Sequence, residues 1–403
     1  MSQIKRFLFL YPPLMPTITL GKGKDKRVAH GHPWVFANEI VSEEGEYQAG
    51  DIVDVCNQRG NFLGKGYINP ASLIRVRILS RKKQENINGD FFKQQIEKAW
   101  NYRKSIGYDK NCRIVFGEAD GLSGLVVDKF EDILVVQILT LGMDIRRQEI
   151  IDALVAVVGP KAIYERSDVS VRTLEGLEER TGWIYGEGPT NFVFKQDGIQ
   201  FKVDIAHGQK TGFFHDQRKN RLSIQPFVKN ARVLDACSYT GSFSMYAAKF
   251  GAKEVIGLDI SQEAIDVCRE NAKLNGFSQC EFRTVNVFDE LKIMVEKGEQ
   301  FDVVMLDPPA FTKSRKNLEA ALRGYKEINR RGLQLVKPGG YLISSSCSHF
   351  IYPEEFKQVI TEAANDVGRQ LRQVVFQPQS PDHPAIWNIP ETLYLKFAIL
   401  QVV

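Results

Sequence analysis

Polar side chains follow four predicted strands in the C-terminal half of the chain, each at the point where a strand ends. In chain order they are Asp235 with Ser238, Tyr239, Thr240 and Gly241, then Asp259 with Ile260, Asn286 with Val287, and Asp307. A carboxylate at such a position can accept both hydroxyls of a ribose, and a polar residue beside an apolar one suits an adenine. Because parallel strands end at one edge of a sheet, these residues predict a single nucleoside-binding site.

The turn after the first of these strands limits the kinds of ligand that the site could bind. It contains one glycine, Gly241, rather than the G-x-G-x-x-G of a dinucleotide binder, so a pyrophosphate cradle is disfavoured. Asp259 alone is interpreted equally well as a helix cap before Ser261. Four strand ends in register make the binding site the stronger hypothesis.

From about residue 191 the pattern alternates between strands and helices. The predicted strands are 232–235, 254–259, 281–285, 301–306 and 340–345, and the predicted helices are 242–250, 262–275 and 318–335. This alternation is typical of a largely parallel sheet covered by helices on both faces, a Rossmann-like α/β domain. Ligands of such sheets bind at the carboxyl ends of the strands.

Two smaller regions precede this domain. Short strands and glycine turns over 17–80 predict a small β-barrel, and the polar stretch 81–90 is a candidate linker. The middle region, a compact α+β domain, has predicted helices at 91–106 and 143–158 and strands at 124–127, 133–139 and 162–165. The predicted boundaries are 1–16 for an N-terminal extension, 17–84, 90–188 and 191–403.

Composition excludes several classes of protein. With 43% hydrophobic and 25% charged residues, the chain is neither disordered nor collagen-like. No apolar run reaches the ~18 residues of a membrane span. The six cysteines are scattered without a C-x-x-C pair, which argues against zinc and against a disulfide framework and is typical of a reducing, cytoplasmic location.

The C-terminal motifs, in this order, resemble those of the class I S-adenosylmethionine-dependent methyltransferases. Residues 207–218 (HGQKTGFFHDQR), 307–311 (DPPAF) and 346–348 (SCS) are similar to the RlmI family of bacterial 23S rRNA cytosine-C5 methyltransferases. The resemblance implies S-adenosylmethionine as the cofactor, flanked also by Lys210, Thr211, Phe214 and Gln217. It implies a PUA RNA-binding domain for 17–80, with GHPWVF at 31–36, and an EEHEE domain in the middle. The family usually has leucine at His215, which therefore inherits no role.

Cys347 directly follows a predicted strand and should lie at the ligand edge of the sheet. The resemblance implies that its thiolate adds to C6 of cytosine and that Asp307 hydrogen-bonds the N3/N4 edge of the base, in protonated form if its pKa is raised. By position alone, Cys347 is more typical of a buried small residue. Ala310 stands where many RNA cytosine-C5 methyltransferases have a second cysteine. A water, a hydroxyl of Ser344 to Ser348, or His349 would then remove the C5 proton.

Basic residues follow Asp307 closely. Lys313, Arg315 and Lys316 lie in a predicted loop where they could hold RNA phosphates while the base is flipped out. Trp34, Phe36 and Tyr67 could stack on bases, although core packing is the more typical role. The predicted partner is 23S rRNA or a large-subunit precursor, and a homodimer is left open.

Two alternatives remain from the sequence. One is methylation of an exocyclic amine, because Asp-Pro-Pro is similar to the Asn/Asp-Pro-Pro-Tyr/Phe motif of amine methyltransferases; this chemistry needs no thiol. The other is a non-catalytic ribosome-assembly factor that only binds RNA.

Overall fold

The computed structural model describes residues 15–312 and 315–403, so the predicted extension 1–16 lies almost wholly outside the described residues. The N-terminal region is one six-stranded sheet in the order β2-β6-β5-β4-β1-β3. Its elements are β1 (Thr17–Leu20), α1 (Lys26–Ala29), β2 (Trp34–Phe36), β3 (Ile40–Glu44), β4 (Ile52–Asn57), β5 (Phe62–Ile68) and β6 (Ile74–Ser80). Neighbouring strands are antiparallel except for β1 and β4. Buried aliphatic side chains such as Ile18, Val53 and Val76 form its core.

The middle region is a five-stranded sheet in the order β11-β10-β9-β8-β7. Its elements are α2 (Gly89–Ser105), β7 (Cys112–Phe116), β8 (Leu125–Phe130), β9 (Ile133–Ile138), α3 (Leu141–Ile145), α4 (Arg147–Val158), β10 (Ala162–Ser167) and β11 (Arg180–Tyr185). The predicted helix 143–158 is two helices, and α2 begins inside the predicted linker, where the Asn88 side chain accepts from Phe91 N at 3.2 Å. The edge strands β7 and β11 were not predicted. β11 in particular is largely exposed and lacks the alternation of a half-buried strand.

A β-hairpin connects the middle region to the C-terminal sheet. It consists of β12 (Asn191–Gln196) and β13 (Ile199–Asp204). The two turn residues, Asp197 and Gly198, both have positive φ, as a two-residue hairpin turn requires. The loop after β13 leads directly to the residues around the candidate site.

The C-terminal region is a seven-stranded sheet in the order β16-β15-β14-β17-β18-β20-β19. Its elements are α5 (Arg218–Ser223), α6 (Gln225–Val228), β14 (Arg232–Ala236), α7 (Ser242–Lys249), β15 (Glu254–Asp259), α8 (Gln262–Asn275), β16 (Cys280–Thr284), α9 (Val287–Glu296), β17 (Phe301–Leu306), α10 (Leu318–Leu335), β18 (Val336–Ser346), α11 (Pro353–Asp366), β19 (Leu371–Gln377) and β20 (Lys396–Val402). The strands from β16 to β18 are parallel, whereas β20 and β19 return antiparallel. Apolar clusters cover both faces, as the alternating pattern predicts.

Polar contacts join the three regions. Glu175, which follows β10, accepts hydrogen bonds from Asn69, Ser72 and Arg77 of the N-terminal region at 2.7–3.1 Å. His32 reaches Glu391 of the C-terminal region at 3.0 Å. Among the described residues, no helix combines the length and apolar character needed to cross a membrane.

Candidate active site

An open cavity lies at the carboxyl ends of β14, β15, β17 and β18. Most of the predicted site residues line it, and they are Lys210, Phe214, Gln217, Asp235, Ser238, Tyr239, Asp259, Ile260, Val287, Asp307 and Cys347. Cys237, from the turn after β14, is in the same wall. Residues far apart in the chain meet here because parallel strands end at one edge of the sheet.

The turn between β14 and α7 has an unusual backbone. The φ angle is 65° at Cys237, 49° at Tyr239 and 77° at Gly241. Such conformations cost ~1–3 kcal/mol at residues other than glycine and occur preferentially at functional sites. The N–H of Tyr239 donates to Oδ2 of Asp259 at 2.8 Å, which fixes the turn to the end of β15.

Asp235 is buried and has one oxygen without a partner. Its Oδ2 accepts from the backbone N–H and the hydroxyl of Ser244, at 3.0 and 2.6 Å, whereas Oδ1 has no hydrogen-bond partner. Burial and the nearby Asp307 carboxylate raise the pKa of Asp235 to about 7, against the hydrogen bonds from Ser244. An unpartnered buried acceptor in a cavity wall suits a ligand that brings a donor or a positive charge.

Asp259 keeps acceptor capacity for a ligand. Its oxygens accept from the backbone N–H groups of Tyr239 and Ser261, and a carboxylate offers about four acceptor positions. The cap of α8 is Ser261, whose hydroxyl accepts from Ala264 N at 3.2 Å. The helix therefore does not need Asp259 as its cap.

Four of the predicted cofactor residues do not line the cavity: Thr211, Thr240, Gly241 and Asn286. The Asn286 side chain caps α9 by accepting from the N–H groups of the second and third following residues. Thr211 is fully buried and its hydroxyl donates to Asp128 in β8. For these two residues the side chain already bonds to the chain itself, and contact of all four with a cofactor stays a prediction.

The loop between β13 and α5 supplies a charged part of the wall. Lys210 Nζ lies 3.1 Å from Asp216 Oδ2 and 4.4 Å from the centre of the Phe214 ring. Burial by itself would raise the pKa of Asp216, but Lys210 and other positive groups hold that pKa below its ordinary value. Asp216 is therefore an anion that orients the Lys210 ammonium.

Asp307 and Cys347 end the neighbouring strands β17 and β18. Gln217 Nε2 donates to Asp307 Oδ1 at 3.0 Å. Burial raises the pKa of Asp307 to about 6, so a fraction of this carboxyl is protonated near neutral pH. Burial also raises the pKa of Cys347, with Lys210 acting in the opposite direction. The free protein therefore holds Cys347 as a thiol, and the charges around it decide how readily the thiolate forms.

Sequence reasoning missed three residues of this neighbourhood: Asp216, Arg221 and Lys396. Arg221 lines the cavity and is buried, and it donates to the Gln196 side chain at 3.0 Å. Asp216 stands inside the segment 207–218, so the resemblance had already marked its position. Lys396 gave no local signal, because only the antiparallel return of β20 brings it next to Cys347.

The candidate RNA-binding residues are only partly described. Lys313 lies outside the described residues, whereas Arg315 and Lys316 are exposed in a short 3-10 turn before α10. Tyr67 is buried and its hydroxyl donates to Ser123 O at 2.8 Å, which makes it a core residue and not a base-stacking one. Within 15–312 and 315–403, no three His, Cys, Asp or Glu side chains are placed to hold a metal ion.

Comparison with known proteins defines the class. Residues 18–81 match the family model of the PUA-like domain, and residues 162–387 match that of the S-adenosylmethionine-dependent methyltransferases. The crystal structure of SMU.776, assigned as a methyltransferase and complexed with SAH, has the same fold, with a TM-score of 0.83 over 96% of this chain and 100% of that chain at 21% identity. The fold, the cavity and the family match together define an S-adenosylmethionine-dependent methyltransferase.

Closer relatives specify the family. The ribosomal RNA large subunit methyltransferase I of Vibrio cholerae is 42% identical over 395 residues, 95% of this chain and 98% of the relative. The protein of the same name from Aeromonas salmonicida is 41% identical over 394 residues, 95% of this chain and 98% of the relative. The chain belongs to the ribosomal RNA large subunit methyltransferase I (RlmI) family. Membership in this enzyme family sets aside the non-catalytic alternative.

Proposed function

We propose that the protein methylates C5 of a cytosine in 23S ribosomal RNA, with Cys347 forming a covalent bond to C6 of the base. The observation that carries this proposal is that Cys347 and Asp307 line the same cavity as the strand-end residues predicted to bind the cofactor. The names of the relatives support ribosomal RNA as the substrate, and the PUA-like match supports an RNA partner.

The cavity residues fit S-adenosylmethionine, which when bound supplies a methyl group on a positively charged sulfur. Asp259 would accept the ribose hydroxyls, and Ile260 and Val287 offer apolar contact beside the adenine. The unpartnered Oδ1 of Asp235 would take a donor or the positive charge of the methionine part.

Cys347 overcomes the low nucleophilicity of C5. Its thiolate forms the Sγ–C6 bond, and the electron pair of the C5–C6 double bond is pushed toward C5 and N3, where Asp307 can donate a hydrogen bond or a proton. C5 would then be the nucleophile toward the methyl group, and the electron pair of the broken methyl–sulfur bond would stay on the sulfur of the cofactor. When C5 loses its proton, the electron pair of the C5–H bond restores the C5–C6 double bond. The Sγ–C6 bond breaks, and its electron pair returns to sulfur.

The acceptor of the C5 proton stays open between three candidates. Burial lowers the pKa of His349, so its ring is neutral at pH 7 and able to accept a proton. This ring stacks on Tyr394 with 5.3 Å between centroids, but it is not among the residues that line the cavity. A water and a serine hydroxyl of the segment Ser344 to Ser348 are the other two candidates.

Removing the thiol tests the proposal. We expect Cys347→Ala to abolish 5-methylcytidine formation in 23S rRNA taken from cells that lack the gene, measured by nucleoside mass spectrometry. Cys280→Ala, which removes a half-buried thiol outside the cavity, serves as the matched control and should keep normal activity. Persistence of 5-methylcytidine in Cys347→Ala would contradict the role of the thiol, and an N-methylated nucleoside formed equally by Cys347→Ala and the unsubstituted protein would favour the exocyclic-amine alternative.

A trapping experiment tests the covalent bond separately. In RNA with 5-fluorocytidine, C5 carries no proton to lose, so the Sγ–C6 bond should persist after methyl transfer. We expect a protein–RNA complex that resists denaturing electrophoresis with the unsubstituted protein and none with Cys347→Ala. Its absence from both would contradict the adduct.

A further inference from the structure

Lys396 lies against the turn that carries Cys347. It is the first residue of β20, is 3% exposed, and pairs with Ser346 in the ladder between β18 and β20. Its Nζ donates to the backbone carbonyl of Ser348 at 2.6 Å and to that of Tyr394 at 2.8 Å. The ammonium is thus bonded to the residue after Cys347, while its own backbone is paired with the residue before.

Among the described residues, Lys396 forms no ion pair with a carboxylate, and Glu355 acts on its charge only from a longer distance. Among residues 15–312 and 315–403, its side chain hydrogen-bonds only to those two carbonyls. A buried ammonium without a counter-ion is costly, and an anion formed beside it recovers part of that cost. Burial lowers the pKa of Lys396 to about 8, so the ammonium still predominates at pH 7.

Lys210, the other lysine near Cys347, differs from Lys396 in its ion pairing and in its exposure to water. It forms an ion pair with Asp216 at 3.1 Å, and its side chain is 42% exposed. Its charge is therefore partly neutralised by the carboxylate and partly screened by water. Lys396, in contrast, is buried at the thiol and forms no such ion pair within the described residues.

We propose that Lys396 is a positioning residue of the methyltransferase, whose buried ammonium stabilises the thiolate of Cys347 and whose hydrogen bonds hold the turn that presents this thiol to the cavity. The inference rests on the proposed role of Cys347. As the thiol gives up its proton, the anion forms beside the ammonium. When the Sγ–C6 bond breaks, the same charge favours return of the electron pair to sulfur.

The other charged or titratable groups do not replace this role. Those facing Cys347 are Lys210, Asp216, Asp307, Tyr325 and Tyr394, and those facing Lys396 also include Glu355 and His349. The two aspartates near Cys347 disfavour a thiolate, and so does burial. Lys210 and Lys396 must therefore offset burial and the two aspartates for the thiolate to form.

The test measures the thiol directly in the free protein, without RNA or cofactor. The rate at which iodoacetamide alkylates Cys347 at pH 7, followed by peptide mass spectrometry, reports the thiolate fraction at a pH where the Lys396 ammonium predominates. We expect Lys396→Met to lower this rate about tenfold or more, as removal of a close opposite charge does. Lys396→Arg should stay near the unsubstituted protein, because it keeps the charge.

Two further variants are controls for a distant positive charge and for misfolding. Lys337→Met removes an ammonium near the opposite end of β18, where Lys337 pairs with Asp302, and should leave the alkylation rate at pH 7 unchanged. Lys396→Gln keeps an amide that can donate to the two carbonyls but carries no charge, and it should give the same decrease in rate if Lys396→Met does not fold.

The direction of the change separates charge from structure. A loss of structure alone would admit water and iodoacetamide to the thiol and raise the alkylation rate, because burial is what raises the pKa of Cys347. A rate at pH 7 that stays or rises in both Lys396→Met and Lys396→Gln overturns the inference. The proposed function fails on a different result, which is methylation that persists in Cys347→Ala.

Discussion

Asp235 is a carboxyl group that stays protonated to a higher pH in the folded protein than in the unfolded chain, and this predicts how stability depends on pH. Its pKa is raised from 3.8 to about 7, first by burial. Between these values the unfolded chain has released a proton that the folded chain retains, so the free energy of unfolding falls as pH rises. A separation of this size corresponds to about 4 kcal/mol, present in full below about pH 4 and lost by about pH 7.

The substitution Asp235→Asn should remove this dependence. The asparagine side chain has the shape of a protonated carboxyl, and its carbonyl oxygen can accept the two hydrogen bonds from Ser244. We therefore expect the stability of the variant, relative to the unsubstituted protein, to increase by about 4 kcal/mol from about pH 4 to about pH 8. Most of the increase should fall between about pH 5 and about pH 7.

The assay must report on the C-terminal sheet alone, because a chain with three regions need not unfold in one step. Pulsed hydrogen exchange across a urea series, read by mass spectrometry on peptides of β14 and β17, does so without cofactor present. Asp266→Asn, on the exposed face of α8, is the control and should show no such increase. A difference for Asp235→Asn that is the same at pH 5 and pH 8 would refute the reasoning.

Three further predictions address the turn, the interface and the RNA. Gly241→Ala forces an alanine to φ 77° and should destabilise the protein by about 1–2 kcal/mol and weaken binding of S-adenosylmethionine in calorimetry; unchanged affinity would contradict this. Glu175→Gln removes the carboxylate 2.9 Å from the buried Arg77, which keeps only Glu118 at 3.9 Å, and should lower the stability of the N-terminal sheet by about 1.5–3 kcal/mol, seen as faster hydrogen exchange in β6; unaltered exchange would count against it. Arg315→Ala with Lys316→Ala should reduce the slope of log affinity for 23S rRNA against log salt by about 1.4–1.8, and a slope equal to that of the unsubstituted protein would remove both residues from the interface.

Local pattern predicted the parallel part of the C-terminal sheet closely. The bounds of β15, β17, α8 and α10 coincide with the predicted ones, because each combines a clear apolar period with a clear end. β18 begins at Val336, whereas the predicted strand begins at residue 340. The later start was predicted because Pro338 and the two glycines that follow are typical of a turn. The prediction missed the helices α9 and α11 and the strands β19 and β20. It therefore also missed the antiparallel edge of the sheet, which β20 and β19 form.

The sequence by itself determined the class of fold, the cofactor and the edge of the sheet at which the site lies. These follow from local periodicity, from residue types at strand ends and from the resemblance that the motifs carry. Tertiary structure decided what each side chain does at that edge. It placed Asn286 on a helix terminus and Thr211 against Asp128, and it put Lys396 beside Cys347. Burial and through-space charge set the protonation of a group, and both depend on neighbours far away in the chain.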